Sequence, residues 1–324
     1  FLGQGPDGWY DELGAPTRGP DRFYGEPYDS EVVYWLTWGG VFEGLPKRIA
    51  TVDGSAVSEP FVTRVADRAH FERNEFWEPR QKESTIQPPE QNPAWERFWW
   101  LSLNAVPNDP ERVLRAAPLD PVVDRPVRLR IRLWGNSFQD AVQRPDHAVR
   151  VKLNGTVVAL TDRLPGGGFW DGYARRDIDT TGVWLAAGEQ DLRFTLPYRP
   201  VQSPDSTWRD NGNVFLAWIE MDYTRRLVAH GDTIAFQSGS LLKSVQSFSV
   251  TGFTTEDLTV LDATDPFNPV RLQPSVSGAA GAVTLRFRAE AGGDPPRRFL
   301  AWSNARLVRP RLEVDVPPEG GYLS

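Results

Sequence analysis

The chain reads as all-β, and three features carry that reading. Apolar residues recur at every second position in run after run, turn-forming pairs separate the runs, and helical periodicity is hard to find anywhere. The clearest run is Val214–Leu227, VFLAWIEMDYTRRL, which alternates as a strand with one buried face should. Phe248–Leu272, FSVTGFTTEDLTVLDATDPFNPVRL, reads as strand, turn, strand, Asp-Pro turn, strand.

In chain order, residues 1–93 are the least regular, a β lead-in and linker that is a candidate to complete the sandwich that follows. Gly and Pro crowd Phe1–Pro27, Glu31–Trp38 (EVVYWLTW) is a strand, Lys47–Val52 looks hairpin-like, and Arg80–Pro93 is a polar, proline-bearing linker or long loop. Residues 94–228 hold Arg97–Leu103 (RFWWLSL), Val127–Trp134 (VRLRIRLW), Ala148–Leu153 (AVRVKL), Asp191–Leu196 (DLRFTL) and Val214–Tyr223. Their spacing predicts a jelly-roll β-sandwich, whose two sheets need an inward residue at every second position. Asn154–Gly155, Gly166–Gly168 and Asn211–Gly212 supply the turns. Residues 229–312 carry shorter strands, among them Thr233–Gln237, Ser247–Thr251, Leu258–Leu261 and Ala282–Arg288. With turns about every 8–12 residues they predict a small immunoglobulin-like domain. Residues 313–324 read as an exposed linker.

Composition excludes several function classes. A chain of 324 residues has room for two or three domains, and 40% apolar with 24% charged residues is an ordinary globular balance. A net charge of −7 argues against a nucleic-acid partner held through phosphates. No run of 18 apolar residues exists, so no membrane-spanning helix is expected. With no cysteine the chain can supply no thiolate nucleophile, and its redox compartment is unmarked. Neither an initiator Met nor a signal-peptide pattern stands at Phe1, so the chain reads as excised or processed from a longer precursor. Thirteen Trp and 28 Pro suit an extracellular β-rich protein. The pairs Arg175–Arg176, Arg225–Arg226 and Arg297–Arg298 are expected at solvated strand ends or in ion pairs.

Four places could hide chemistry, and each has a plainer reading. Glu220 and Asp222 lie two apart on one strand face, the paired carboxylates that a glycosidase needs, but with Thr224 they read better as the wet face of a strand whose other side packs inward through Phe215 or Leu216. His147, beside Asp146, opens a strand; a satisfied strand-end histidine is preferred to a metal ligand. Gly166–Tyr173 (GGGFWDGY) is the best ligand-site candidate, because Phe169, Trp170 and Tyr173 could offer flat faces to a sugar ring or a peptide. The alternative is a lid folded back on the sandwich. Asp205, Asp210, Asn211 and Asn213 offer oxygens for a Ca²⁺ ion, though no EF-hand spacing is present and an Asx-stabilised turn fits as well. No other cofactor is expected.

Five ordered motifs resemble the non-catalytic β region of gingipain-like cysteine peptidases. They are Phe23–Gly40 (FYGEPYDSEVVYWLTWGG), Ala69–Phe76 (AHFERNEF), His147–Gly155 (HAVRVKLNG), Val214–Arg226 and Asp262–Pro269 (DATDPFNP). The resemblance implies a secreted bacterial protein of the type IX route, located outside the cell or at its surface. Its partner would be the peptidase domain of the same precursor, which this region would pack against, restrain or present, with a glycan or cell-surface protein as a further partner. The catalytic Cys and His of that family have no counterpart here, and His70, His147 and His230 each sit in a strand or turn, so no catalytic residue is expected. Two rivals from other classes are a free-standing carbohydrate-binding module and a structural component of a surface layer or filament.

Overall fold

The computed structural model describes residues 8–9, 23–24, 48–77, 98–105, 111–137, 147–159, 169–170, 175–196, 212–239 and 243–307. Strands dominate them, with one short 3₁₀ turn at Asn304–Arg306. They form two compact units, one holding residues 8–9, 23–24 and those described within 64–226, the other 48–63 with those described within 227–307. The chain therefore begins in the first unit, passes through the second at residues 48–63, returns to the first, and ends in the second. Residues 48–63, read from sequence as lead-in, give the second unit β1 (Ala50–Asp53) and β2 (Phe61–Val62).

The first unit contains β3 (Arg64–Glu72), β4 (Leu101–Asn104), β5 (Arg112–Ala116), β6 (Val127–Gly135), β7 (Arg150–Leu153), β8 (Thr156–Ala159), β9 (Arg175–Val183), β10 (Gln190–Thr195) and β11 (Asn213–Arg226). One antiparallel sheet runs β9-β6-β11-β3 and the other β8-β7-β10-β5. Apart from β4 and the β7–β8 hairpin, consecutive strands alternate between the sheets, so neither sheet comes from a contiguous stretch of chain. The hairpin turns on Asn154 and Gly155, at φ 49° and 83°, the left-handed backbone that Asn-Gly tolerates. Leu129, Ile131 and Leu133 of β6 and Ile219 and Met221 of β11 meet Val151, Leu153, Leu192 and Phe194 in a core where none is more than 2% exposed. Burial of this order contributes about 1.5–3 kcal/mol per large side chain.

Strand β11 is long enough to need two neighbours on one edge: β4 pairs with its start and β3 with the rest. Its register with β6 shifts between Arg132 and Leu133, where Ala217 is the extra residue of a β-bulge. The bulge puts Leu216 and Ile219 on the same inward face. It turns Phe215, Ala217 and Trp218 outward, where they pack with Trp99, Phe76 and Trp134 in a second apolar cluster. The strand is thus covered on both faces, and the expected wet face is corrected: Glu220 is only 1% exposed.

The second unit is also a sandwich. To β1 and β2 it adds β12 (Thr233–Gln237), β13 (Ser244–Phe253), β14 (Leu258–Asp262), β15 (Val270–Gln273), β16 (Ser275–Ala279), β17 (Ala282–Ala291) and β18 (Arg298–Ser303). The sheets run β12-β18-β14-β15-β1 and β16-β17-β13-β2. Phe236, Phe248, Phe287 and Phe299 fill the centre, with Phe248 stacked on Phe287 at 5.1 Å between centroids. The hairpin expected over Lys47–Val52 is replaced by β1, which lies parallel to β15, because its hydrogen-bonding partner, Val270–Gln273, is remote in sequence.

Candidate functional site

The outer face of the β9-β6-β11-β3 sheet concentrates the unusual chemistry. Alternation places Arg128, Arg130 and Arg132 of β6 on that face, with Trp218, Glu220 and Asp222 of β11 beside them. Strand β3 adds Arg68, His70 and Glu72, and β9 adds Asp177 and Asp179. Register aligns these into rows across the sheet: Glu72, Trp218, Arg132, Asp177; His70, Glu220, Arg130, Asp179; and Arg68, Asp222, Arg128. Along the second and third rows charge can alternate from strand to strand, the arrangement that cross-strand pairing rewards.

Contacts within and between the rows are close. Arg130 lies 2.8 Å from Glu220 Oε2 and 3.5 Å from Asp222 Oδ1. Arg68 donates through Nε to Asp222. Arg128 grips Asp179 with two donors, and Arg132 does the same to Asp177 at 3.0 and 3.3 Å. The Arg132 guanidinium also sits 4.4 Å above the Trp218 ring, within cation–π range. His70 bridges two carboxylates, with Nδ1 3.0 Å from Glu220 Oε1 and Nε2 2.9 Å from Glu72 Oε2.

Burial separates this array from an ordinary solvated face. The side chains of His70, Glu220 and Arg130 are 3%, 1% and 13% exposed. Burial pulls the His70 imidazole down, but hydrogen bonds and charge from Glu220 and Glu72 more than offset it and hold the ring above its ordinary value. Glu220 Oε1 is hydrogen-bonded to His70, Oε2 forms an ion pair with Arg130 at 2.8 Å without hydrogen-bonding geometry, and Asp222 faces two guanidiniums. Such an arrangement neutralises charge and fixes strand register. The outer face of the other sheet carries a looser network, in which Glu111 pairs with Lys152 and Arg193 at 3.1 and 3.0 Å; it is more exposed and contributes little.

The remaining sequence candidates fall elsewhere. His147 is fully buried and donates from Nε2 to the Ser137 carbonyl at 3.1 Å. Its strand, His147–Ala148, pairs with Phe169–Trp170, so those two aromatic positions belong to a short ladder. Tyr173, Asp205, Asp210 and Asn211 lie outside the described residues. Asn213 is a bracket: its amide nitrogen lies 2.7 Å from Asn104 Oδ1 and 3.1 Å from Ser102 Oγ, and its amide oxygen accepts from Asn136 at 2.9 Å. Among the described residues no group of three or more His, Cys, Asp or Glu is placed to hold a metal ion. His230 is exposed, and its backbone closes a turn with Thr233.

In the sequence His70 stands out only as a non-catalytic strand or turn histidine of the Ala69–Phe76 motif, and Glu72, Arg68 and Arg130 carry no site signal of their own. The available signal was three arginines at alternate positions of VRLRIRLW, which require carboxylates from neighbouring strands.

No family model matches the sequence, and no curated protein matches it. Among solved structures, the crystal structure of dimeric latent PorU from Porphyromonas gingivalis is similar, with a TM-score of 0.54 at 14% identity. The likeness is one of fold. It covers 81% of this chain and 22% of that one, so this chain spans about a fifth of PorU's length.

Proposed function

We propose that this chain is a non-catalytic, extracellular accessory region of a gingipain-like peptidase. Its role is to pack against, restrain or present the peptidase domain of the same precursor. One observation carries the reading: the fold likeness to latent PorU from Porphyromonas gingivalis extends over 81% of this chain, beside the five ordered motifs that resemble gingipain-like peptidases. The absence of cysteine supports it, since the nucleophile of such a peptidase has to come from another part of the polypeptide. The buried Glu220 supports it as well, because its carboxylate is held between His70 and Arg130.

The full reading frame of the gene tests the proposal. It is expected to encode, besides these residues, a domain with paired catalytic His and Cys. Produced as a separate polypeptide, that domain is expected to co-elute with this chain in gel filtration. A reading frame without such a domain, or two polypeptides that elute independently, would overturn it.

A further inference from the structure

The His70 geometry carries a consequence for pH. Each ring nitrogen faces a carboxylate oxygen, Nδ1 toward Glu220 and Nε2 toward Glu72, at hydrogen-bonding distance. A carboxylate only accepts, so both nitrogens donate, and a ring with two N–H groups is an imidazolium. Charge balance leads to the same state. Around His70 stand three carboxylates (Glu72, Glu220 and Asp222) and two guanidiniums (Arg68 and Arg130), so a protonated ring makes the group neutral. The charged groups around His70 include Arg68 and Glu72 from its own strand, Glu220 and Asp222 from β11, and Arg130 from β6 behind Glu220. The Trp218 ring, 5.7 Å away, is the uncharged neighbour.

We propose that His70 is a proton-operated latch between edge strand β3 and β11, tight when both ring nitrogens carry hydrogen and weakened when Nε2 loses its proton to solvent. The two carboxylates are not equivalent. Glu220 is 1% exposed and also held by Arg130, so it keeps the Nδ1 hydrogen; Glu72 is 15% exposed and can turn toward water. Once deprotonated, Nε2 turns a lone pair toward the Glu72 carboxylate. Glu72, which belongs to β3 like His70, turns toward water, and the bond that His70 makes across to β11, from Nδ1–H to Glu220, falls from a charge-assisted to a neutral hydrogen bond and so weakens. The tie from Arg68 to Asp222 remains, so the strand loosens locally while the sandwich stays folded.

The test is performed on the full chain. Proton NMR follows the His70 ring through a pH titration while amide exchange gives protection factors for residues 68–72. The His70 midpoint is expected above 6.5, the ordinary histidine value, with protection of these amides falling at least about tenfold across the same midpoint. Glu72→Gln, a change at a partly exposed position, is expected to lower the midpoint and carry the exchange transition down with it. His70→Gln is expected to abolish the transition; should that variant not fold, the wild-type titration and Glu72→Gln remain decisive. A midpoint at or below 6.5, or protection that stays constant through the midpoint, would overturn the latch.

Discussion

Replacing Arg130 with Met removes the guanidinium that faces the most deeply buried carboxylate among the described residues of the first unit. Glu220 is 1% exposed and its Oε2 lies 2.8 Å from Arg130, so the substitution leaves a desolvated charge with His70 alone. Breaking a buried pair from one side costs about 3–5 kcal/mol, which for a unit of this size lowers the melting temperature by about 6–20 °C. An internal control sits two residues away. Arg128 pairs with Asp179 on the same face, but with side chains 46% and 43% exposed, so Arg128→Met is expected to cost about 0.2–1 kcal/mol. The double variant Arg130→Met with Glu220→Leu removes both charges and should recover most of the loss. Calorimetry of the first unit's transition, supported by urea unfolding, measures all three. Equal losses for Arg130→Met and Arg128→Met would refute the claim that burial sets the strength of these rows.

The second unit offers sharper local tests. Phe248→Ala empties the centre of the phenylalanine cluster, whose rings lie 5.1 Å from Phe287 and Phe299, and should cost about 3–5 kcal/mol in urea unfolding. Gly278→Ala and Gly281→Ala both place a side chain at positive φ, but only at Gly278 would the new Cβ collide with a backbone atom, the Ala282 carbonyl oxygen. Gly278→Ala should therefore be the more destabilising of the two by thermal melt. Asp232 accepts from the Thr254 amide and hydroxyl at 2.6 and 2.7 Å, bonds that hold its carboxyl below the usual range. Because the folded value is depressed, this contribution is present above about pH 4 and lost as pH falls through the folded value; Asp232→Asn should flatten the acid limb of the stability curve. His70 has the opposite sign: its value is raised, so its contribution is complete below about pH 6.5 and lost as pH rises through the folded midpoint.

The strands were legible because alternation survives wherever one face is buried. Val127–Trp134, Thr233–Gln237 and Ala282–Arg288 all lie in strands that the structure contains, and Asn154–Gly155 makes its turn. Beyond local pattern the sequence was silent for physical reasons. Strand β1 has the alternation of an ordinary strand, and nothing in Ala50–Asp53 announces a parallel partner at Val270–Gln273. A bulge adds one residue without any composition signal, so the face change at Ala217 was invisible and Glu220 read as wet. The ionic rows were half legible. Glu220 and Asp222 stood out as a pair, but His70 is 150 residues from Glu220, and only strand register brings them together.

The scaffold reading is tested most directly by assaying the chain, purified free of host peptidases and glycosidases, against panels of fluorogenic peptides and glycosides. No turnover above buffer is expected. Turnover that follows the chain through successive columns and falls on Glu220→Gln would contradict it.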